Sequence, residues 1–217
     1  MARVTIFAGH YGSGKTQIAV NWALRLRAAG DSVILCDLDI VNPYFRTADC
    51  IEPLREAGVR LIASPLANTN VENASLPADV SAVFDNLDHK AVLDVGGDDR
   101  GMLALGRYAN RLRGDDYDLW MVANPYRPLA ATPELAMELL REMESAAGLS
   151  FTGLVANPNI GRDTTVQTVA AARPYMRQLS ALSGLPVVMT CIRRDLADDG
   201  MQPNLFPIDI FANRFQI

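Results

Sequence analysis

Short runs of consecutive apolar, often β-branched residues recur along the chain: Val4–Ala8, Val33–Cys36, Val59–Ala63, Ala91–Val95, Leu119–Ala123, Phe151–Ala156 and Val187–Thr190. Runs of this length without polar alternation predict strands covered on both faces. Between most of them, apolar positions recur at helical spacing, over Gln17–Arg27, Ala78–Leu87, Met102–Arg113, Pro133–Ala147 and Thr164–Leu182. Strands alternating with helices predict an α/β fold: a doubly wound, mainly parallel sheet with helices on both faces. No internal repeat, low-complexity tract or linker-like shift divides the chain, so residues 1–217 read as one domain. The stretch Pro65–Asn73 has the weakest pattern and reads as a surface loop. Ligands of such sheets gather at the carboxyl ends of the strands, which is where chemistry is to be sought.

The first strand runs directly into Gly9-His10-Tyr11-Gly12-Ser13-Gly14-Lys15-Thr16, a complete G-x-x-x-x-G-K-[ST] phosphate-binding loop, and a helix follows. Each residue type has a reason. Glycines let the backbone wrap closely enough for several N–H groups to point at one phosphate chain. The helix that begins at Lys15 adds its positive dipole end. Lys15 neutralises terminal phosphates and the Thr16 hydroxyl can ligate magnesium. The residues assigned to the nucleotide are Gly9 through Thr16 and Gln17. Lys15 and Lys90 are the only lysines among many arginines, and a compact ammonium fits a phosphate cradle where a planar guanidinium does not.

The bulk properties narrow the partners. A net charge of −5 argues against general nucleic-acid binding or a polybasic membrane surface. No apolar run approaches the roughly 20 residues of a membrane span, and the first apolar run has no signal-peptide architecture. Cys36, Cys50 and Cys191 are scattered, without a C-x-x-C pair, which reads as core thiols in a reducing cytoplasm.

Acidic residues close two more strands: Leu35-Cys36-Asp37-Leu38-Asp39 and Val92-Leu93-Asp94-Val95-Gly96-Gly97-Asp98. An apolar strand ending in Asp and followed by glycine is a Walker B arrangement, whose carboxylate holds magnesium directly or through water. Of Asp37 and Asp39, one is expected at the metal and the other on an attacking water or substrate hydroxyl. Thr16, Asp37 and Asp94 are the expected metal ligands. Gly96 and Gly97 allow a mobile loop that can sense a terminal phosphate.

Together, Gly-x-x-Gly-x-Gly-Lys-Thr, Asp-x-Asp and Asp-x-Gly-Gly resemble the MinD/ParA/CobQ branch of P-loop nucleotidases, with a deviant Walker A loop. The longer runs Gly-His-Tyr-Gly-Ser-Gly-Lys-Thr, Asp-Leu-Asp-Ile-Val-Asn-Pro-Tyr-Phe-Arg and Leu-Asp-Val-Gly-Gly-Asp resemble a bacterial subfamily described only as ATP-binding. The resemblance covers the chain to about residue 190. It implies ATP with Mg2+, and often a dimer with nucleotides near the interface. It also implies that Asp39 positions the hydrolytic water, with Lys15 as the other catalytic residue. MinD and ParA proteins carry a signature lysine that reaches the partner's nucleotide; His10 stands at that position here, either as a structural loop residue or against phosphate.

After the sixth strand, Asn157-Pro158-Asn159 lacks the Lys and Asp of the guanine-binding Asn-Lys-x-Asp, and Asn157 matches the family's adenine-side asparagine. Two loops, Asn42-Pro43-Tyr44-Phe45-Arg46 and Asn124-Pro125-Tyr126-Arg127-Pro128, present related residues at strand ends. Arg46 and Arg127 are candidates for a second, anionic ligand or an acidic partner segment; turn prolines with surface arginines are the plainer alternative. The apolar tail from Leu205 is expected to dock on its own domain or on a second subunit. Two functions agree with these residues: a nucleotide-driven ATPase switch with a homodimer or protein partner, and an ATP-dependent synthetase or kinase on a small anionic substrate, like dethiobiotin synthetase or CobQ. A metal-insertion chaperone is weakened by the missing guanine motif.

Overall fold

The computed structural model describes residues 2–38, 50–62, 78–85, 87–97, 99–198 and 204–211. Eight strands form one sheet: β1 (Val4–Ala8), β2 (Val33–Asp37), β3 (Arg60–Ile62), β4 (Lys90–Asp94), β5 (Tyr117–Ala123), β6 (Gly153–Ala156), β7 (Val187–Arg193) and β8 (Leu205–Ile208). Their order is β3-β2-β4-β1-β5-β6-β7-β8, and the adjacent pairs run parallel. The helices are α1 (Lys15–Ala28), α2 (Ile51–Ala57), α3 (Ala82–Asp85), α4 (Asp99–Gly106), α5 (Ala109–Arg113), α6 (Pro133–Ala147), α7 (Val166–Ala171) and α8 (Arg173–Ser183).

Consecutive strand residues feed two cores, as continuous apolar runs require. Ile6, Leu93, Leu119, Met121 and Leu154 pack with Met102, Leu105, Leu140, Met143 and Leu179 of α4, α6 and α8. Phe7, Leu35, Val92, Trp120 and Val155 pack with Ile18, Trp22 and Leu26 of α1 and Leu54 of α2. On this second face, Trp22 sits edge-on to Phe7, Trp120 and Phe206 at centroid distances of 6.3, 5.2 and 5.6 Å. That cluster fixes α1 between the sheet centre and β8, with aromatic geometry adding to plain area burial.

Several expected elements differ. The helical pattern Met102–Arg113 is two helices, because Gly106 lies against the carbonyls of Ala146 and Ala147 and Tyr108 stacks on Phe84 at 5.2 Å. The pattern Thr164–Leu182 breaks at Ala172, where Pro174 has no N–H to continue the ladder. Ala78–Leu87 yields a short 3-10 turn and the four-residue α3. β8 and α2 were not anticipated as elements; β8 shows that the described part of the tail docks on its own sheet. The expected loop Pro65–Asn73 lies outside the described residues.

Candidate functional site

The chain leaves β1 at Ala8 and enters α1 at Lys15 through a loop bent at Gly12 (φ 75°) and Gly14 (φ 91°). Both lie in the left-handed region that side chains disfavour. Ser13 N donates to His10 O at 3.1 Å and closes the bend. The first turn of α1 carries no acidic side chain, and Gly14 supplies no side-chain cap. The helix dipole and its leading amides therefore face the loop, an arrangement suited to an anion.

Three segments hold the loop from outside. After β4, a Cβ on Gly97 would stand 1.8 Å from Gly9 O and 2.7 Å from His10 Cα, so that contact requires glycine. After β6, buried Asn157 donates Nδ2 to Ser13 O at 2.6 Å; a Cβ on Gly14 would meet that nitrogen at 2.2 Å. After β5, Arg127 Nε donates to Gly12 O at 3.0 Å. The β5 loop is itself clamped. Asn124 Oδ1 accepts from Tyr126 N at 3.0 Å, Asn124 Nδ2 donates to Asn159 O at 2.9 Å, and Tyr126 Oη donates to Thr168 O at 2.7 Å.

The acidic strand ends meet beside this loop. Asp37 and Asp94 are register partners across β2 and β4, and Phe7 pairs with Asp94 across β1 and β4. Two positions earlier, Leu35 and Val92 belong to the core built on α1. Strand alternation puts both carboxylates on the α1 face, at the carboxyl edge where Lys15 and Thr16 begin the helix. Asp37 is 5% exposed and Asp94 fully buried, and Lys15 and Thr16 are buried as well. Burial, with Asp37 and Asp94 adding negative charge, pushes the Cys36 thiol far up; burial alone does the same to Cys191. Both thiols are held in their protonated form at neutral pH.

His10 is 2% exposed. Its Nδ1 lies 2.7 Å from Tyr11 O and so carries the proton that it donates; Nε2 is buried without a partner. Burial lowers the imidazole pKa; the bond to Tyr11 opposes this, while Lys15 and Arg127 add to the lowering. The neutral ring is the resting form.

The residues fit a phosphate chain with magnesium. Ser13 Oγ is an orphaned polar atom inside the loop, able to donate to a phosphate oxygen. Two adjacent buried carboxylates beside a threonine hydroxyl are the hard oxygen set that magnesium shares with phosphate and water. Among the described residues, no group of three or more His, Cys, Asp or Glu side chains is placed to hold a metal.

Gly9 to Thr16, Asp37, Asp94, Asn157 and Arg127 thus come together at one edge. Gln17 turns elsewhere: its Oε1 accepts from Phe211 N at 3.2 Å. Asp39 and Arg46 lie outside the described residues. Sequence reasoning missed Asn124, whose only signal was its place before Pro125, and Asn21, which binds the C-terminal segment. Arg193, the last residue of β7, braces the loop after β6 through the carbonyls of Gly161 and Arg162 at 3.4 and 3.1 Å.

No family model matches this sequence, and no curated protein matches it. Solved structures do share the fold. FtsY from Mycoplasma mycoides superposes with TM-score 0.55 at 13% identity, over 88% of this chain and 61% of its own. The signal recognition particle receptor FtsY from Elizabethkingia anophelis, in complex with GDP, gives 0.56 at 17%, over 88% and 58%. The signal recognition particle 54 kDa protein from Aeropyrum pernix K1, also with GDP, gives 0.55 at 15%, over 86% and 40%. The chain thus spans less than two thirds of each of these relatives. The chain shares their fold: an eight-stranded parallel sheet between helices, with the Gly9–Thr16 loop after β1.

Proposed function

We propose that this chain is a magnesium-dependent ATPase that acts as a nucleotide-driven switch of the MinD/ParA/CobQ type, in the cytoplasm and as a single domain. The observation that carries this reading is the Gly9–Thr16 loop, closed against Gly97 and Asn157 with Asp37 and Asp94 in register at the neighbouring strand ends. Magnesium held by Thr16, Asp37 and Asp94 would neutralise phosphate charge. The loop amides and Lys15 bind the triphosphate and stabilise charge on the migrating phosphoryl group. Asp39 orients the attacking water.

Adenine is favoured over guanine by the loop after β6. In the register of Asn-Lys-x-Asp, Asn157 is followed by Pro158, Asn159 and Ile160, so no carboxylate stands where guanine needs one. Asn157 spends a donor on Ser13 O and keeps its Oδ1 as an acceptor for the purine edge. The segments Asp39–Arg46 and Gly96–Gly101 are the parts whose shape a partner, a second copy of the chain or another protein, reads. Arg46 remains the candidate for an acidic partner segment.

A synthetase or kinase is the second reading. His10 favours it, because the cross-dimer lysine of the MinD and ParA switches is missing. The two readings separate in solution. Asp39→Ala should keep ATP affinity and lose hydrolysis by about 100-fold or more. Light scattering of that variant should give a larger mass with magnesium and ATP than with ADP. A mass indifferent to the nucleotide would favour the synthetase or kinase, and loss of ATP binding would move Asp39 to the metal.

A further inference from the structure

We propose that Arg127 is the second cation of the phosphate site: an arginine of the same chain that contacts the terminal phosphoryl group of a bound nucleoside triphosphate. The inference rests on the nucleotide reading above and assigns to Arg127 a role in that site.

The guanidinium lies over the bend at Gly12, where a Cβ would meet Nε, Cδ and Cζ of Arg127 at 3.6, 3.9 and 4.0 Å. Gly12 leads into the Ser13–Thr16 stretch whose amides wrap the phosphates. Its carbonyl is turned outward onto Arg127 Nε at 3.0 Å, so the side chain is seated on the rim of the cradle.

Most of the side chain's hydrogen-bonding capacity is unused. A guanidinium has five N–H groups, and the bond to Gly12 takes one. The side chain is exposed, and the ion pairs found among the described residues do not include it. Its two terminal nitrogens form the planar fork that matches phosphate oxygens. The side chain is also preorganised. The turn that carries Arg127 is fastened at Asn124, Tyr126 and the Arg127 amide, which donates to Asn124 O at 3.2 Å. A donor held by such a turn needs little rearrangement as charge develops.

The adjacent loop position, His10, cannot supply the charge, because its Nδ1–H is given to Tyr11 O and its ring is buried and neutral. The positive charge beside that position comes from β5 instead. In hydrolysis a water oxygen bonds to the terminal phosphorus while the bond to the bridging oxygen breaks. That electron pair stays on the diphosphate and the water's proton leaves to the medium. Arg127 gives and takes no proton; it neutralises the oxygens through which charge passes, as an arginine supplied in cis can.

The test compares nucleotides rather than activity alone. Wild type, Arg127→Ala and Arg127→Lys are titrated in magnesium with ADP and with a non-hydrolysable ATP analogue, and kcat is measured with ATP. A contact to the terminal phosphate should make Arg127→Ala lose about tenfold or more of its preference for the triphosphate, with ADP affinity within about threefold of wild type. kcat should fall by about 100-fold or more, and Arg127→Lys should recover part of both. A brace that merely supports Gly12 would weaken ADP and the analogue equally, and that result, or an unchanged preference, overturns the proposal. If wild type binds neither nucleotide, the underlying nucleotide reading fails instead.

Discussion

His10 shows what a single residue reports about this loop. Its imidazole is neutral because burial withholds the water an imidazolium needs, and Lys15 and Arg127 add repulsion. The folded pKa lies below the ordinary value of 6.5, so between the two values the unfolded chain binds more protons. Stability then rises with pH in that window: it is intact above about 6.5 and is lost as the pH falls below it. Melting temperatures of wild type and His10→Gln from pH 7.5 to 5 should diverge, with wild type losing more at the acid end. Magnesium and ATP should reduce that loss, since bound phosphate offsets the repulsion. Parallel curves would mean that His10 is not titrating against the fold. At this scale the loop was legible, because Gly12, Gly14 and Lys15 are dictated by local geometry. What Arg127 and Asn157 do there was not. Their partners lie 115 and 144 positions away, and no periodicity encodes such contacts.

Among the elements, α1 carries the most structure. Its inner side packs on the sheet, and its early polar residues fasten the C-terminal segment. Asn21 Nδ2 donates to Gln17 O at 2.7 Å and Asp209 O at 2.9 Å, and Asn21 Oδ1 accepts from Asp209 N at 2.8 Å. Arg194 adds a two-bond ion pair to Asp209, worth little alone because both partners are exposed. Asn21→Ala would strand two backbone groups of Asp209, at a cost of about 2–4 kcal/mol. That is a fall in Tm of roughly 5–15 °C; a fall under about 2 °C would mean the segment is not held by Asn21. β1 and α1 could be read almost to their ends, since apolar spacing and glycine punctuation agree there. β8 escaped notice because Pro207 interrupts it, which an edge strand tolerates. α2 escaped because seven residues with Pro53 and a single buried position, Leu54, show no period.

Across the whole molecule, the strand order explains why the site is where it is. β1 is flanked by β4 and β5. The loop after β1 is thus met from one side by the Asp94 strand end and from the other by the Arg127 turn, at the point where the chain's winding reverses. The acidic strand ends were readable as a set, because strands in a parallel sheet must deliver their carboxyl ends to one edge. Which strands stand side by side was not. The pairing of Asp37 with Asp94 depends on β4 inserting between β1 and β2, a choice made by core packing over long separations. No helix among the described residues is long and apolar enough to cross a membrane, in keeping with the sequence pattern.

Whether the Gly9–Thr16 loop binds a nucleoside triphosphate with magnesium is read most directly by calorimetric titration of wild type and Lys15→Ala with ATP and with GTP. Wild type should show one site, tighter for ATP than for GTP, and weaker by about 10- to 100-fold in Lys15→Ala. Equal affinity in the two proteins, or no binding to wild type, would contradict the nucleotide assignment.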